Sequence, residues 1–345
     1  FGTKYKITLY GQSHSKILGV NIENVPKGIE LNLSNLSKAL ERRRDGDMPQ
    51  MTKLCTTPRK EEDRAIFKEG LSKKSGECYI TTGENIVIEF ENKNIKEDDY
   101  ESVIDTPRPS HADFVNQIKY KGNPIMIKGG GISSGRMTLP LVAAGEIAKE
   151  IINFKLKDKE KIDSLFGTIE VNGYITSIYG ETDKEKWSEI LQSAASEGDS
   201  VGGVVECTIE YLPKGVGEPF FSSLESVIAS LALSVPGIKG IEFGNGFNCT
   251  LLKGSENNDP LINELGTTKT NNSGGINGGI SNGNPVVFRV AVKPTASIAK
   301  PQQTFSFRSG RVEEIKIKGR HDVCFALRVP VVIEAITYIA IANLL

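Results

Sequence analysis

The 345-residue chain carries 42 Lys+Arg against 43 Asp+Glu. Its net charge of -1 creates no global field for nucleic acid, so any anion site must be a local cluster. The five cysteines (55, 78, 207, 249, 324) are scattered, odd in number and never spaced C-x-x-C, which argues against a disulfide framework or zinc site and for a reducing, cytoplasmic compartment.

Lys4–Leu9 alternates apolar and polar residues and predicts a strand, as does Ile17–Val25. A polar turn, Gly11-Gln12-Ser13-His14-Ser15, separates them. A short helix is predicted over Asn35–Arg44, with Ser34 as N-cap and Arg42, Arg43 and Arg44 in its last turn. Periodicity then fails from Asp45 to about Arg64, a length expected of a functional or mobile loop. Ile86–Phe90 predicts a strand, and His111–Lys121 a helix opening from Pro107-Arg108-Pro109-Ser110.

The central stretch reads as strand (Pro124–Ile127), glycine loop (Lys128–Thr138) and amphipathic helix, with Leu139, Ala143, Ile147 and Ile151 recurring every four residues. Pro140 suits a first helical turn. Glycines before a helix start, two hydroxyls and one guanidinium predict a phosphate or carboxylate site. Two named motifs fail here. Gly130 and Gly135 have the Walker spacing, but Arg136 and Met137 replace the required Lys-Ser/Thr, and Ser134 stands where a dinucleotide fingerprint needs its third glycine.

Beyond it, Lys155–Asp163 reads as a charged linker, Thr168–Ile178 as a strand pair and Asp183–Glu197 as a helix holding Trp187. Val204–Leu212 predicts a strand and Ser222–Leu233 a helix ending at Ser234-Val235-Pro236-Gly237. Lys253–Asn272 is polar and aperiodic, expected to be a mobile loop, and residues 271–283 hold five glycines. Val286–Val292 predicts a strand leading into Lys293-Pro294-Thr295-Ala296-Ser297. The longest apolar run, Val329–Leu345, predicts a helix bent or broken near Pro330; Pro330 and Glu334 interrupt it short of the ~20 apolar residues of a membrane span. Strands and helices mix without regular βαβ alternation, which predicts an α+β fold, and no internal domain boundary is visible.

Three features carry chemistry. All three histidines (His14, His111, His321) sit in polar turns, where imidazole suits proton transfer near neutral pH. No metal-binding histidine spacing occurs, so no metal is expected. Seven of the 12 arginines (42, 43, 44, 108, 136, 320, 328) fall in turn or motif segments, and arginine grips phosphate and carboxylate bidentately. Repeated glycine turns at 129–135, 244–246 and 274–283 suggest backbone lining for a large, planar, phosphate-bearing ligand. From the residues alone, this is an enzyme of small anionic substrates with histidine acid/base groups; a phosphotransferase and a nucleotide or RNA binder are the alternatives.

Taken in order, Gly11–Ser15, Arg42–Arg44, Arg108–Asp113, Gly130–Lys149, Gly278–Gly283, Lys293–Ser297 and Gly319–Cys324 resemble the motifs of the chorismate synthase family. The resemblance implies a single-domain β-α-β sandwich over residues 1–345, usually a homotetramer. It implies the reduced-FMN-dependent anti-1,4-elimination of phosphate from 5-enolpyruvylshikimate 3-phosphate, the last step of the shikimate pathway, with NADPH as a possible reductant. His14, His111 and Asp322 match the catalytic positions. Arg43, Arg108, Arg136 and Arg328 match the substrate-gripping ones. Ile132, Ser133, Ser134, Pro236, Gly237, Gly278, Lys293, Pro294, Thr295, Ala296, Ser297 and Arg320 match the flavin-binding ones. Gln12, Ser15, Ser110 and Ala296 depart from the family's usual Glu, Gly, Gly and Ser. No nucleic-acid or membrane partner is implied.

Overall fold

A computed structural model of the chain describes residues 1–51, 63–92, 105–121, 123, 128–160, 168–317 and 321–345. The strand expected at Pro124–Ile127, most of the Asp45–Arg64 loop, and Arg320 lie outside them.

The strands are β1 Lys6–Tyr10, β2 Ile17–Glu23, β3 Glu30–Asn32, β4 Ile66–Glu69, β5 Leu71–Ser75, β6 Cys78–Thr81, β7 Ile86–Glu91, β8 Glu170–Ile178, β9 Gly203–Glu210, β10 Ile238–Phe243, β11 Ile276–Asn277, β12 Ile280–Ser281, β13 Val286–Val292, β14 Gln302–Ser306 and β15 Arg311–Ile315. The helices are α1 Leu36–Asp45, α2 Asp113–Lys119, α3 Thr138–Glu160, α4 Trp187–Ser196, α5 Leu224–Ser234 and α6 Val329–Leu344, with shorter helical turns between them.

Two antiparallel four-stranded sheets, ordered β1-β2-β7-β4 and β10-β13-β9-β8, form the outer layers. Alternation puts Leu18, Val20 and Ile22 of β2 and Ile86, Ile88 and Phe90 of β7 fully inside on one sheet. On the other sheet, Val205, Cys207 and Ile209 of β9 and Val286, Phe288 and Val290 of β13 are equally buried. Helix α3 packs on the first sheet, α6 on the second, and the two helices pack on each other. The result is an α+β fold, a β-α-β sandwich with a filling two helices thick. Gly145 of α3 makes this crossing possible, because a Cβ there would lie 2.4 Å from Ala335 Cβ.

Several expected boundaries change. Asn35, not Ser34, precedes α1 and makes no side-chain cap. The charged run after Lys155 continues α3 to Glu160 instead of forming a linker. Thr168–Ile178 yields one nine-residue strand. Pro330 begins α6 instead of breaking it, since a first-turn proline loses no hydrogen bond. With its preceding turn, the apolar segment Phe325–Leu344 reaches 20 residues, and most of it is interior. In α6 every residue from Val329 to Ala342 except Glu334 is buried, as expected for a helix apolar all round inside a core. In residues 253–272, Asp259 accepts hydrogen bonds from Thr270 Oγ1 and from the amides of Asn272 and Ser273.

Candidate active site

A cleft of about 1040 Å³ opens at one end of the sandwich. The starts of α3 and α6 meet there, with the end of α1, the turn between α5 and β10 and the chain leaving β13. Two long central helices therefore aim their positive ends at one space. The volume slightly exceeds the usual range of small-molecule pockets, about 300–1,000 Å³.

The glycine run shapes one wall. Gly129, Gly130 and Gly131 have φ of 60°, 89° and 54°, a left-handed path that only glycine follows readily. Two histidines close on it. A Cβ on Gly129 would lie 2.3 Å from His14 Cε1, and one on Gly130 would lie 3.3 Å from His111 Cε1. The His14 turn is pinned by Ser13 N–H donating to Gly131 O (3.0 Å) and by Asn92 Nδ2 donating to the carbonyls of Ser13 and Ser15. His111 and Ser13 line the cleft directly, whereas His14 is not among its lining residues.

The second wall is basic. Arg43, Arg136 and Arg328 line it. Arg43 donates to Asp63 (3.2 Å) and Thr138 Oγ1 (3.1 Å), and Arg136 donates to Asp63 (2.9 Å). Arg328 Nη2 donates to Asp322 (3.3 Å), while its buried Nε has no hydrogen-bond partner among the described residues. The third wall combines Ile132, Ser133 and Ser134 with Pro236, Gly237 and Lys293 through Ala296. Thr295 Oγ1 is buried there and also lacks a partner among the described residues.

Fourteen expected site residues thus come together: His111, Asp322, Arg43, Arg136, Arg328, Ile132, Ser133, Ser134, Pro236, Gly237, Lys293, Pro294, Thr295 and Ala296. Others do not reach the cleft. Arg108 is 4% exposed and points to Asp113 and Ser297, not to the cleft where a substrate would sit. Ser297 accepts from it at 3.2 Å and is buried as well. Gly278 lies in the β11–β12 turn, whose Gly279 carbonyl accepts from Leu224 N–H at the start of α5, the opposite end of that helix from the cleft.

Sequence reasoning missed Asp63 and Asp113. Asp63 (6% exposed) lies between Arg43 and Arg136, but in an aperiodic segment nothing marked it. Asp113 is fully buried and binds both Arg108 and His111 at 2.7 Å; its place two residues after a turn histidine was the available signal. Burial alone would push the Asp113 carboxyl up, but the hydrogen bonds from Arg108 and His111 outweigh it and hold it well below the usual carboxylate range.

The departures have local consequences. Ser110 adopts a left-handed φ of 56°, and Lys293 Nζ donates to its carbonyl at 2.8 Å. Gln12 is buried, and its Oε1 has no partner among the described residues.

Comparison with known proteins decides the family. The chorismate synthase family model matches residues 5–345. The chain belongs to the chorismate synthase family. It is 47% identical to the chorismate synthase of Chitinophaga pinensis over 343 residues, 99% of this chain and 95% of that protein. It is 39% identical to that of Synechocystis sp. over 359 residues, 99% of this chain and 96% of that protein. The crystal structure of a chorismate synthase superimposes with a TM-score of 0.71, covering 100% of this chain and 92% of the other at 22% identity, which supports the shared fold.

Proposed function

We propose that the chain catalyses the anti-1,4-elimination of phosphate and a ring hydrogen from 5-enolpyruvylshikimate 3-phosphate, giving chorismate, with reduced FMN in the same cleft. The observation that carries this reading is one cleft with two unlike walls. Arg43, Arg136 and Arg328 line one side, and Ile132, Ser133 and Ser134 with Lys293 through Ala296 line another. Family membership supplies the reaction; the cleft supplies matching chemistry.

The substrate carries a phosphate and two carboxylates, which the arginines would bind and orient. The buried Arg328 Nε and Thr295 Oγ1 are donors suited to ligand oxygens, and the wall of residues 132–134 and 293–296 fits a flavin and its phosphate. Bound reduced FMN would supply electron density while phosphate leaves, with no net redox change. His14, packed on Gly129, would give a proton to the departing phosphate. His111 would exchange a proton through Nε2 on the flavin side. Asp322, 3.3 Å from Arg328, would take up the proton from the ring. Arg320 completes the flavin set that the family pattern implies, and Arg108 and Ser297 support it from behind.

Homotetramer assembly is part of the proposal. Exposed Phe220 (85%), Phe221 (95%) and Phe247 (80%) favour a covered surface. A cytoplasmic location agrees with the four described cysteines being free thiols.

The test is an anaerobic assay of purified protein with reduced FMN and the enolpyruvyl substrate. Chorismate and phosphate should appear in equal amounts. No turnover by demonstrably folded protein would overturn the reading. Repeating it with oxidised FMN and NADPH shows whether the protein reduces its own flavin.

A further inference from the structure

We propose that Asp113 is a positioning residue that locks His111 in its Nδ1–H tautomer and reserves Nε2 for proton exchange with the cleft. The inference rests on the reading of this cleft as the active site. The geometry is specific. His111 Nδ1 lies 2.7 Å from Asp113 Oδ1 and 3.1 Å from Arg108 Nη2. Arginine only donates. If Nδ1 were the unprotonated nitrogen, it could accept from Arg108, but its lone pair would then face a carboxylate oxygen at 2.7 Å in a buried site. Two acceptors at that distance repel strongly where the dielectric is low. With the proton on Nδ1, the short contact becomes a charge-assisted hydrogen bond, and Arg108 Nη2 still donates to Asp113 Oδ1 at 2.7 Å.

Arg108 keeps Asp113 ionised and fixed. Its Nε and its backbone N–H both donate to Oδ2, at 2.7 Å and 3.1 Å, and its Nη1 donates to Ser297. The carboxylate therefore cannot rotate away from the imidazole without losing several bonds. The other nitrogen of His111 faces the glycine wall: Nε2 would lie 3.5 Å from a Cβ on Gly130. Lys293 also meets this turn, donating to the Ser110 carbonyl. An aspartate two residues from the histidine, and not the flavin or substrate, thus selects which nitrogen is chemically available.

With only three histidines, the full chain labelled with 15N-histidine answers this directly. His111→Gln assigns the resonance by its loss. At a pH where His111 is neutral, Nδ1 should give the protonated signature and Nε2 the unprotonated one. A protonated Nε2 in the wild type would overturn the proposal. This readout needs no flavin and no turnover, so it fails independently of the proposed activity. Asp113→Asn should mix the tautomers and lower kcat by about 10²-fold or more, with KM unchanged. Arg108→Lys, which keeps both the carboxylate and a cation, should retain the Nδ1–H tautomer even if Asp113→Asn fails to fold. Retention of the wild-type tautomer in Asp113→Asn would overturn the proposal even if kcat falls, because the residue's role would then be structural.

Discussion

Arg42 and Arg328 serve the same helix, α6, in opposite ways. Arg42 is heavily engaged: it makes four hydrogen bonds, two to Asp47 and two to Glu334 of α6. Burial opposes its charge, but those bonds outweigh it and raise its pKa, and Glu334 also accepts from Gly173 N–H of β8. This guanidinium ties α1 to the core. Arg328, which precedes α6, makes one 3.3 Å bond to Asp322 and keeps a buried Nε without a partner among the described residues. A guanidinium held by two carboxylates is a structural clamp, and one with an unpartnered donor has bonding capacity left for a ligand. The arginines of this chain are distinguished by the carboxylates they face, not by their sequence neighbours.

Several substitutions would break or sharpen that contrast. The largest effect belongs to the cleft: His111→Ala should reduce turnover about 10²- to 10⁴-fold while FMN binding, followed by flavin fluorescence, is retained. Proportionate loss of both would make His111 a structural residue. Arg328→Ala should lower kcat/KM about 10²-fold with little change in melting temperature. Arg42→Ala should do the reverse, costing about 1 kcal/mol of stability in a denaturant titration, because its 39%-exposed side chain is partly screened by solvent.

Asp113 adds a pH signature. Its folded pKa is depressed by Arg108 and His111 against burial, so its stabilisation is fully present above the unfolded value of about 3.9 and is lost as pH falls toward the folded one. The stability gap between wild type and Asp113→Asn should be widest near neutrality and shrink from about pH 5 downward. A gap independent of pH would show that the carboxylate charge is not what stabilises the turn. The smallest effect is at Ser110: with φ at 56°, Ser110→Gly should stabilise by about 1 kcal/mol, measured as a rise in the denaturant midpoint.

Much of this organisation was legible in sequence. β2, β7, β9 and β13 alternate cleanly because one face of each is buried against a helix, and the period is the physical record of that burial. β5 and β15 went unread because most of their residues are exposed and carry no such record, and β3 and β6 because they are only three and four residues long. The end of α3 was misread because charge alone resembles a linker, whereas an exposed helical end tolerates charge equally well. In the site, the histidine and arginine motifs were visible as residue types in turns. What they face was not. Asp63 and Asp113 come to the arginines through tertiary contacts, and the sequence did not show that the Arg108 guanidinium rests on Asp113.

The most direct measurement is the anaerobic steady-state assay with reduced FMN, run in parallel on wild type, Arg42→Ala and Arg328→Ala at matched folded fractions. The expected result is chorismate formation by wild type, near-wild-type kcat/KM for Arg42→Ala and a loss of about 10²-fold confined to Arg328→Ala. Equal losses in the two variants, or no chorismate from the wild type, would contradict the assignment of this cleft.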